Sequence, residues 1–316
     1  MPISLTRTTL GEGVLYPDGT QSQSLNRFKR AIFGYGINPG NYADSSQNHL
    51  SITGVISVNY SQIGTGRYGL AAAAYGGDRA IFAYGRAVAS YVYYSMSNLV
   101  DNLGNTSADV TGVGTTRFAL AAAGYGGDKA IFGFGETVVV LSMSNLVSNV
   151  GVVSSDVTGV GTARVYLAAA GYGLDKAIFV YGANQAPVAY SLANLVSNTG
   201  VIASDNAITG SQRHGMAAAG YGGDKAIIAH GQNDAGTNLN LTNLISNIGV
   251  VSTDVTGVGT AKYLLAAAGY GGDKAAFGYG TPYSSFNLVS NTGVVAADIT
   301  AMGNARYGLA AASFGP

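Results

Sequence analysis

Cysteine and tryptophan are both absent from this 316-residue chain, and only 10% of its residues are charged. Without cysteine there is no disulfide, thiolate ligand or thiol nucleophile, and the redox compartment leaves no mark. Sixteen basic residues balance sixteen acidic ones. A net charge of zero argues against nucleic acid as a partner. No stretch approaches the roughly 18 apolar residues that a membrane helix needs, so membrane insertion is not expected. The opening Met1-Pro-Ile-Ser-Leu-Thr-Arg has no apolar core like that of a signal peptide, so synthesis in the cytoplasm is expected.

What the chain has in abundance is glycine, 47 residues of it, without the triplet period of collagen. The glycines mark a repeat. Arg117-Phe-Ala-Leu-Ala-Ala-Ala-Gly-Tyr-Gly-Gly-Asp128-Lys129-Ala-Ile-Phe-Gly-Phe-Gly135 returns around Tyr75, Tyr172, Tyr221 and Tyr270. The aromatic recurs at intervals of 50, 47, 49 and 49 residues, then 44 to Phe314. A period in this range points to a solenoid, a propeller or an array.

Each copy has two runs of strand length, 120–125 and 129–134 in the third, joined by Gly126-Gly127-Asp128. Those glycines supply the positive φ angles of a tight hairpin. Helix is disfavoured because each run is about six residues long and closed by glycine at both ends. Asn145-Leu-Val-Ser-Asn and Gly151-Val-Val-Ser-Ser-Asp156-Val read as two further strands. Four antiparallel strands, A to D, in about 50 residues are the signature of a β-propeller blade. Small alanines on strand A would let the innermost strands crowd together, while Ile and Phe on strand B fill the space between sheets. A β-solenoid is the alternative.

The chain ends decide between them. The first copy begins at strand B, with Lys29-Arg30-Ala31-Ile32-Phe33. The last copy consists of strand A alone, Leu309 to Phe314. Laid on the repeat, the two fragments make one whole copy without overlap or gap. A solenoid would want capping repeats, whereas complementary halves suit a ring that leaves no large open edge. The expected fold is all-β: a six-bladed β-propeller over 27–316, with four antiparallel strands per blade. Its N- and C-terminal strands would share one blade, and a separate attachment segment would occupy 1–26.

The Asp-Lys pairs (Asp128-Lys129 and equivalents) fit solvated turns better than metal or anion sites. Asp109, Asp156, Asp205, Asp254 and Asp298 each precede Arg117, Arg164, Arg213, Lys262 and Arg306 by eight residues. The preferred reading is a structural Asp–Arg or Asp–backbone ladder joining blades, and a cation-holding carboxylate ring is the alternative. One aromatic per copy ends strand B (Tyr35, Tyr84, Phe134, Tyr181, His230, Tyr279) and is assigned to packing. His49, His214 and His230 occupy three different places in the repeat and form no ligand spacing. Gly112-Val-Gly-Thr-Thr lacks the third glycine of a dinucleotide fingerprint, and no serine elbow is visible. No catalytic residue, metal ligand or cofactor is assigned, and the chain is read as a non-enzyme.

Between copies the stretch after strand B varies most, and the B–C loops share one face with the D–A links. A constant frame with one varied loop is arranged like a binding face. The candidate ligand residues there are Tyr42, Asp44, Tyr91, Tyr93, Tyr94, Asn184, Gln185, Asn233, Asp234, Asn238 and Tyr283. Tyrosines combine an apolar body with a polar tip, which suits glycans and protein interfaces.

From Lys29 onward the pattern of apolar strand, Gly-Gly turn, strand ending in aromatic-Gly, and Arg opening the next copy resembles kelch-type propellers. It departs from them in lacking the strand-D Trp and in placing the double glycine after strand A. Pro17-Asp18-Gly19-Thr20-Gln21-Ser22 resembles the leader of bacteriophage tail-fibre and virion appendage proteins. That resemblance implies a virion location, contact with other virion proteins through 1–26, and a propeller that binds a host receptor or surface glycan, with homo-oligomerisation possible. A structural virion protein (capsid decoration or tail component) and a free lectin are the alternatives.

Overall fold

The computed structural model describes residues 29–60, 63–281 and 285–316. The expected attachment segment, 1–26, lies outside them. The described residues form twenty-one strands and no helix. The first copy supplies β1 (Arg30–Gly34) and β2 (Gln47–Leu50). The second supplies β3 (Ala71–Tyr75), β4 (Arg79–Ala83) and β5 (Ser97–Val100), and the third β6 (Ala121–Tyr125), β7 (Lys129–Gly133) and β8 (Ser144–Val147). The fourth has β9 (Ala168–Tyr172), β10 (Lys176–Val180), β11 (Leu192–Val196) and β12 (Asn206–Ala207). The fifth has β13 (Ala217–Tyr221), β14 (Lys225–Ala229), β15 (Leu241–Ile245) and β16 (Val255–Thr256). The sixth has β17 (Ala266–Tyr270), β18 (Lys274–Gly278), β19 (Ser285–Val289) and β20 (Ile299–Thr300), and β21 (Ala310–Phe314) ends the chain.

These strands make six antiparallel sheets, three of four strands and three of three. The repeated sheets fit a β-propeller-like architecture. The first sheet runs β2-β1-β21, with Arg30 opposite Phe314. That is the place Lys129 takes opposite Tyr125 inside the third copy's hairpin. Buried apolar clusters lie between sheets rather than within one. Ile81 and Tyr84 of the second sheet pack with Phe132 and Val147 of the third. Phe33 and Leu50 of the first pack with Ala276 and Phe286 of the sixth.

Strand A alternates buried and half-buried positions. Its half-buried side carries small residues that line a cavity of about 250 Å³: Ala74, Gly124, Gly171, Gly220, Gly269 and Ser313, one from each copy. Just before the A strands, six residues form a backbone hydrogen-bond circuit. Gly69 N–H donates to Gly308, Gly308 to Leu264, Leu264 to Gly215, Gly215 to Tyr166, Tyr166 to Ala119, and Ala119 to Gly69, at 2.7–2.9 Å. All six have φ between 52° and 65°. That left-handed turn aims each amide at the neighbouring copy.

The D strands differ from the full strands expected. In the three-stranded sheets D is reduced to isolated bridges, such as Val147 with Val153 and Ser144 with Val157. Three residues on D face two on C between these bridges, which is a β-bulge. The fourth copy shows the same offset between Val196–Ile202 and Ala193–Asn206. Asn145 Nδ2 fills the interrupted ladder by donating to the Ser154 carbonyl (3.0 Å) and to Asp156 (2.9 Å).

The ladder of acids also pairs differently from its sequence spacing. Asp109 bonds Thr65 Oγ1 (2.7 Å) and lies 3.9 Å from Arg67, the arginine that opens its own copy, not from Arg117. D lies on C of its own sheet, and Asn98 of C bridges the two groups: Arg67 Nη2 donates to Asn98 Oδ1 (2.7 Å), and Asn98 Nδ2 donates to Asp109 (3.0 Å). The ladder expected to join sheets therefore lies within each sheet, and the joint between sheets is made by the arginine and an aromatic instead. The Arg67 guanidinium sits 4.4 Å from the Tyr35 ring of the preceding sheet, while its Nε donates to the Tyr84 carbonyl (2.7 Å). A buried cation on an aromatic face contributes about 2 kcal/mol. The same contact joins Arg117 to Tyr84, Arg164 to Phe134, Arg213 to Tyr181 and Arg306 to Tyr279.

At the remaining joint both partners change together. Lys262 stands for arginine and His230 for the aromatic. Burial brings the Lys262 ammonium down to about 8, with Asp298 opposing. Burial, with help from Lys262, brings His230 down to about 3. Both imidazole nitrogens of His230 are buried without a hydrogen-bond partner among the described residues.

Candidate functional site

The antiparallel pairing puts the A–B and C–D turns at one end of the sheets and the B–C loops and D–A links at the other. Asparagine shapes the loop end. Asn38 Oδ1 accepts from Gly40 (3.0 Å) and Tyr42 (3.1 Å), Asn184 from Ala186 and Val188 (both 2.9 Å), and Asn233 from Ala235 (3.1 Å) and Thr237 (2.9 Å). The carboxamide oxygens of the candidates Asn184 and Asn233 are therefore engaged in folding their own loops. Other candidates stitch neighbouring loops together. Gln185 donates to the Val138 carbonyl (3.1 Å), Asp234 accepts from Ala189 N–H (2.8 Å) and Gln212 (2.9 Å), and Asn238 donates to the Thr281 carbonyl (3.4 Å). Asp44 is 4% exposed and caps the Ser46 amide at 2.7 Å. Tyr42 is 71% exposed, Tyr94 is half-buried, and Tyr283 lies outside the described residues.

Two candidates, Tyr91 and Tyr93, are gathered around a residue the sequence did not single out. Arg86 is the first residue beyond Gly85 and bridges Tyr68 on one side and Tyr93 on the other. Its guanidinium carbon lies 4.5 Å from the Phe118 ring centre, 4.9 Å from Tyr91, 5.1 Å from Tyr68 and 5.8 Å from Tyr93. Nη2 donates to the Tyr68 hydroxyl, and Nε is buried without an acceptor among the described residues. Burial works against the charge, but the hydroxyls of Tyr68 and Tyr93 outweigh it and hold Arg86 above the ordinary arginine value. Tyr91 is 68% exposed and has φ 54°, a conformation that costs an L-residue about 1–2 kcal/mol.

A row of packed aromatics continues across the copies. Tyr68 meets Phe118 at 4.9 Å, Phe118 meets Tyr166 at 5.7 Å, and Tyr166 meets Tyr263 at 6.5 Å. Glu136 occupies in the third copy the place of Arg86 in the second. Burial raises its carboxyl above the usual glutamate value, with Arg86 opposing. A signal for this row does exist in the sequence: the residue after the opening Arg or Lys is aromatic in Tyr68, Phe118, His214, Tyr263 and Tyr307.

Among the described residues no group of three His, Asp or Glu is placed to hold a metal ion. The aspartates of the clamps are each engaged with Asn and with Thr or Ser in their own sheet rather than gathered on a shared centre. The arrangement at the loop end suits stacking and charge-assisted hydrogen bonding. No protein-family model matches the chain, and no curated protein matches it.

Proposed function

We propose that the chain is a closed six-bladed β-propeller that serves as a non-enzymatic binding module, its loop face engaging a host surface glycan. The β1–β21 pairing, the inter-sheet clusters and the hydrogen-bond circuit through Gly69 and Gly308 support closure. The observation that carries the binding role is the Arg86 patch. Copy-specific residues Arg86, Tyr91 and Tyr93 are assembled there on the recurring aromatics Tyr68 and Phe118. The phage-like leader 17–22 supports a place on a virion appendage, with 1–26 as the attachment. The test is a glycan array and host-cell binding assay on the full chain. Replacing Tyr91 and Tyr93 by Ala should weaken binding at least tenfold, and binding equal to wild type would remove the adhesin role.

A second reading, a structural virion component, is favoured by the opposite end. Val55, Leu103, Val150, Val201, Ile248 and Val294, one at each C–D turn, are all exposed. Apolar side chains repeated on one face suit assembly contacts. Cross-linking within particles would then place this end against other virion proteins and leave the loop end without a ligand.

A further inference from the structure

We infer that the loop-face ligand is an acidic saccharide whose carboxylate is anchored by Arg86. This inference rests on the glycan-binding reading above and adds the chemical class of the glycan. The clamp cations Arg67, Arg117, Arg164, Arg213 and Lys262 each have an aspartate within 3.6–3.9 Å. Arg86 has no carboxylate within 4 Å among the described residues, although Glu136 stands on the adjacent copy.

Its hydrogen bonding is equally incomplete. Nη2 donates to the Tyr68 hydroxyl and the Tyr93 hydroxyl also favours the charge, while Nε is a buried donor with no partner among the described residues. Leaving a buried donor unmade costs about 1–3 kcal/mol, more for a charged group. The half-buried guanidinium thus has donor capacity to spare for an incoming acceptor. A carboxylate matches the planar edge of a guanidinium with two oxygens, which a neutral sugar hydroxyl does not.

The four aromatic rings fix that edge in place before a ligand arrives, so little side-chain entropy is lost on binding. Phe118 and Tyr68 come from the frame, while Tyr91 and Tyr93 come from the loop. Tyr91 keeps an exposed face beside the cation. It is available to the C–H face of a sugar ring whose acid group reaches Arg86.

Calorimetric titration of the full chain with paired probes tests this. Oligogalacturonate would be compared with its methyl ester, and sialyllactose with lactose, which also separates a uronic from a nonulosonic acid source. At least one acidic member should bind tenfold or more tightly than its neutral counterpart, and the difference should shrink with added salt. Arg86→Gln should collapse the ratio to near one, with Arg86→Lys intermediate because it keeps charge without the planar edge. Equal binding of acid and neutral forms to wild type overturns the inference whether or not a variant folds. A preference that survives Arg86→Gln overturns it too. If the neutral sugars bind and Tyr91→Ala abolishes that binding, the glycan reading stands alone; if none binds, both fall.

Discussion

The two ends of the six sheets are built on opposite terms. At the turn end one hydrogen bond is repeated without variation: Gly76 N–H to the Asp128 carbonyl, Gly126 to Asp175, Gly173 to Asp224, Gly222 to Asp273, Gly271 to Lys29 and Gly315 to Asp78, each at 2.7 Å. At the loop end the links repeat their backbone bonds, but the B–C loops differ in the side-chain contacts they make. Three copies close on an asparagine, one of them also crosses to its neighbour through Asp234, and another holds a half-buried arginine among tyrosines. Where the partner of a copy is another copy, sequence is held to geometry. Where a loop side chain carries no such repeated contact, sequence is free to differ.

The steepest way to break this contrast is to remove a joint between copies. Arg117 is fully buried, lies 4.7 Å from the Tyr84 ring and 3.9 Å from Asp156, and donates to Asn145. Arg117→Met leaves those groups without their cation, and denaturant unfolding should show a loss of about 3–5 kcal/mol.

The joint at His230 sharpens the contrast, because there the frame itself departs from the rule. Its folded-state value of about 3 lies below the ordinary 6.5. As pH falls below 6.5 the unfolded chain takes up a proton that the folded one refuses. The contribution is complete above pH 6.5 and is lost as pH falls toward 3, with about 2 kcal/mol gone by pH 5. His230→Phe, which copies Phe134, should flatten that part of the pH–stability curve.

A smaller gain is expected at the turn end. Leu174 occupies a turn position held by glycine in the neighbouring hairpins, at φ 73° and 79% exposed. Leu174→Gly should relieve about 1 kcal/mol of backbone strain, read as a rise in Tm. Least of all, Tyr42→Ala on the loop end should change stability by no more than about 0.5 kcal/mol.

How much could be read beforehand follows the same division. The A–B hairpins were legible because Gly126-Gly127-Asp128 sits between two short apolar runs. The shared first sheet was legible because the fragments at Lys29 and Phe314 are complementary. The bulge in D was not, since one extra residue between Val153 and Val157 leaves no compositional trace and shows only in the register against C. The partner of Asp109 was misread for a related reason. Chain distance favours Arg117, but the sheet places Asp109 beside Asn98 and hence beside Arg67. At the loop end Tyr91 and Tyr93 were recognised from their chemistry, yet Arg86 was not. Its role depends on Phe118, which only the packing of adjacent sheets brings to it.

The backbone circuit through Gly69, Ala119, Tyr166, Gly215, Leu264 and Gly308 has a dynamic consequence. Each of these peptides gives its amide to one neighbour and its carbonyl to another, so no member can be released without disturbing two others. Deuterium uptake at these six amides should therefore be slow and share a single rate, even though their side chains range from none at all to tyrosine and leucine.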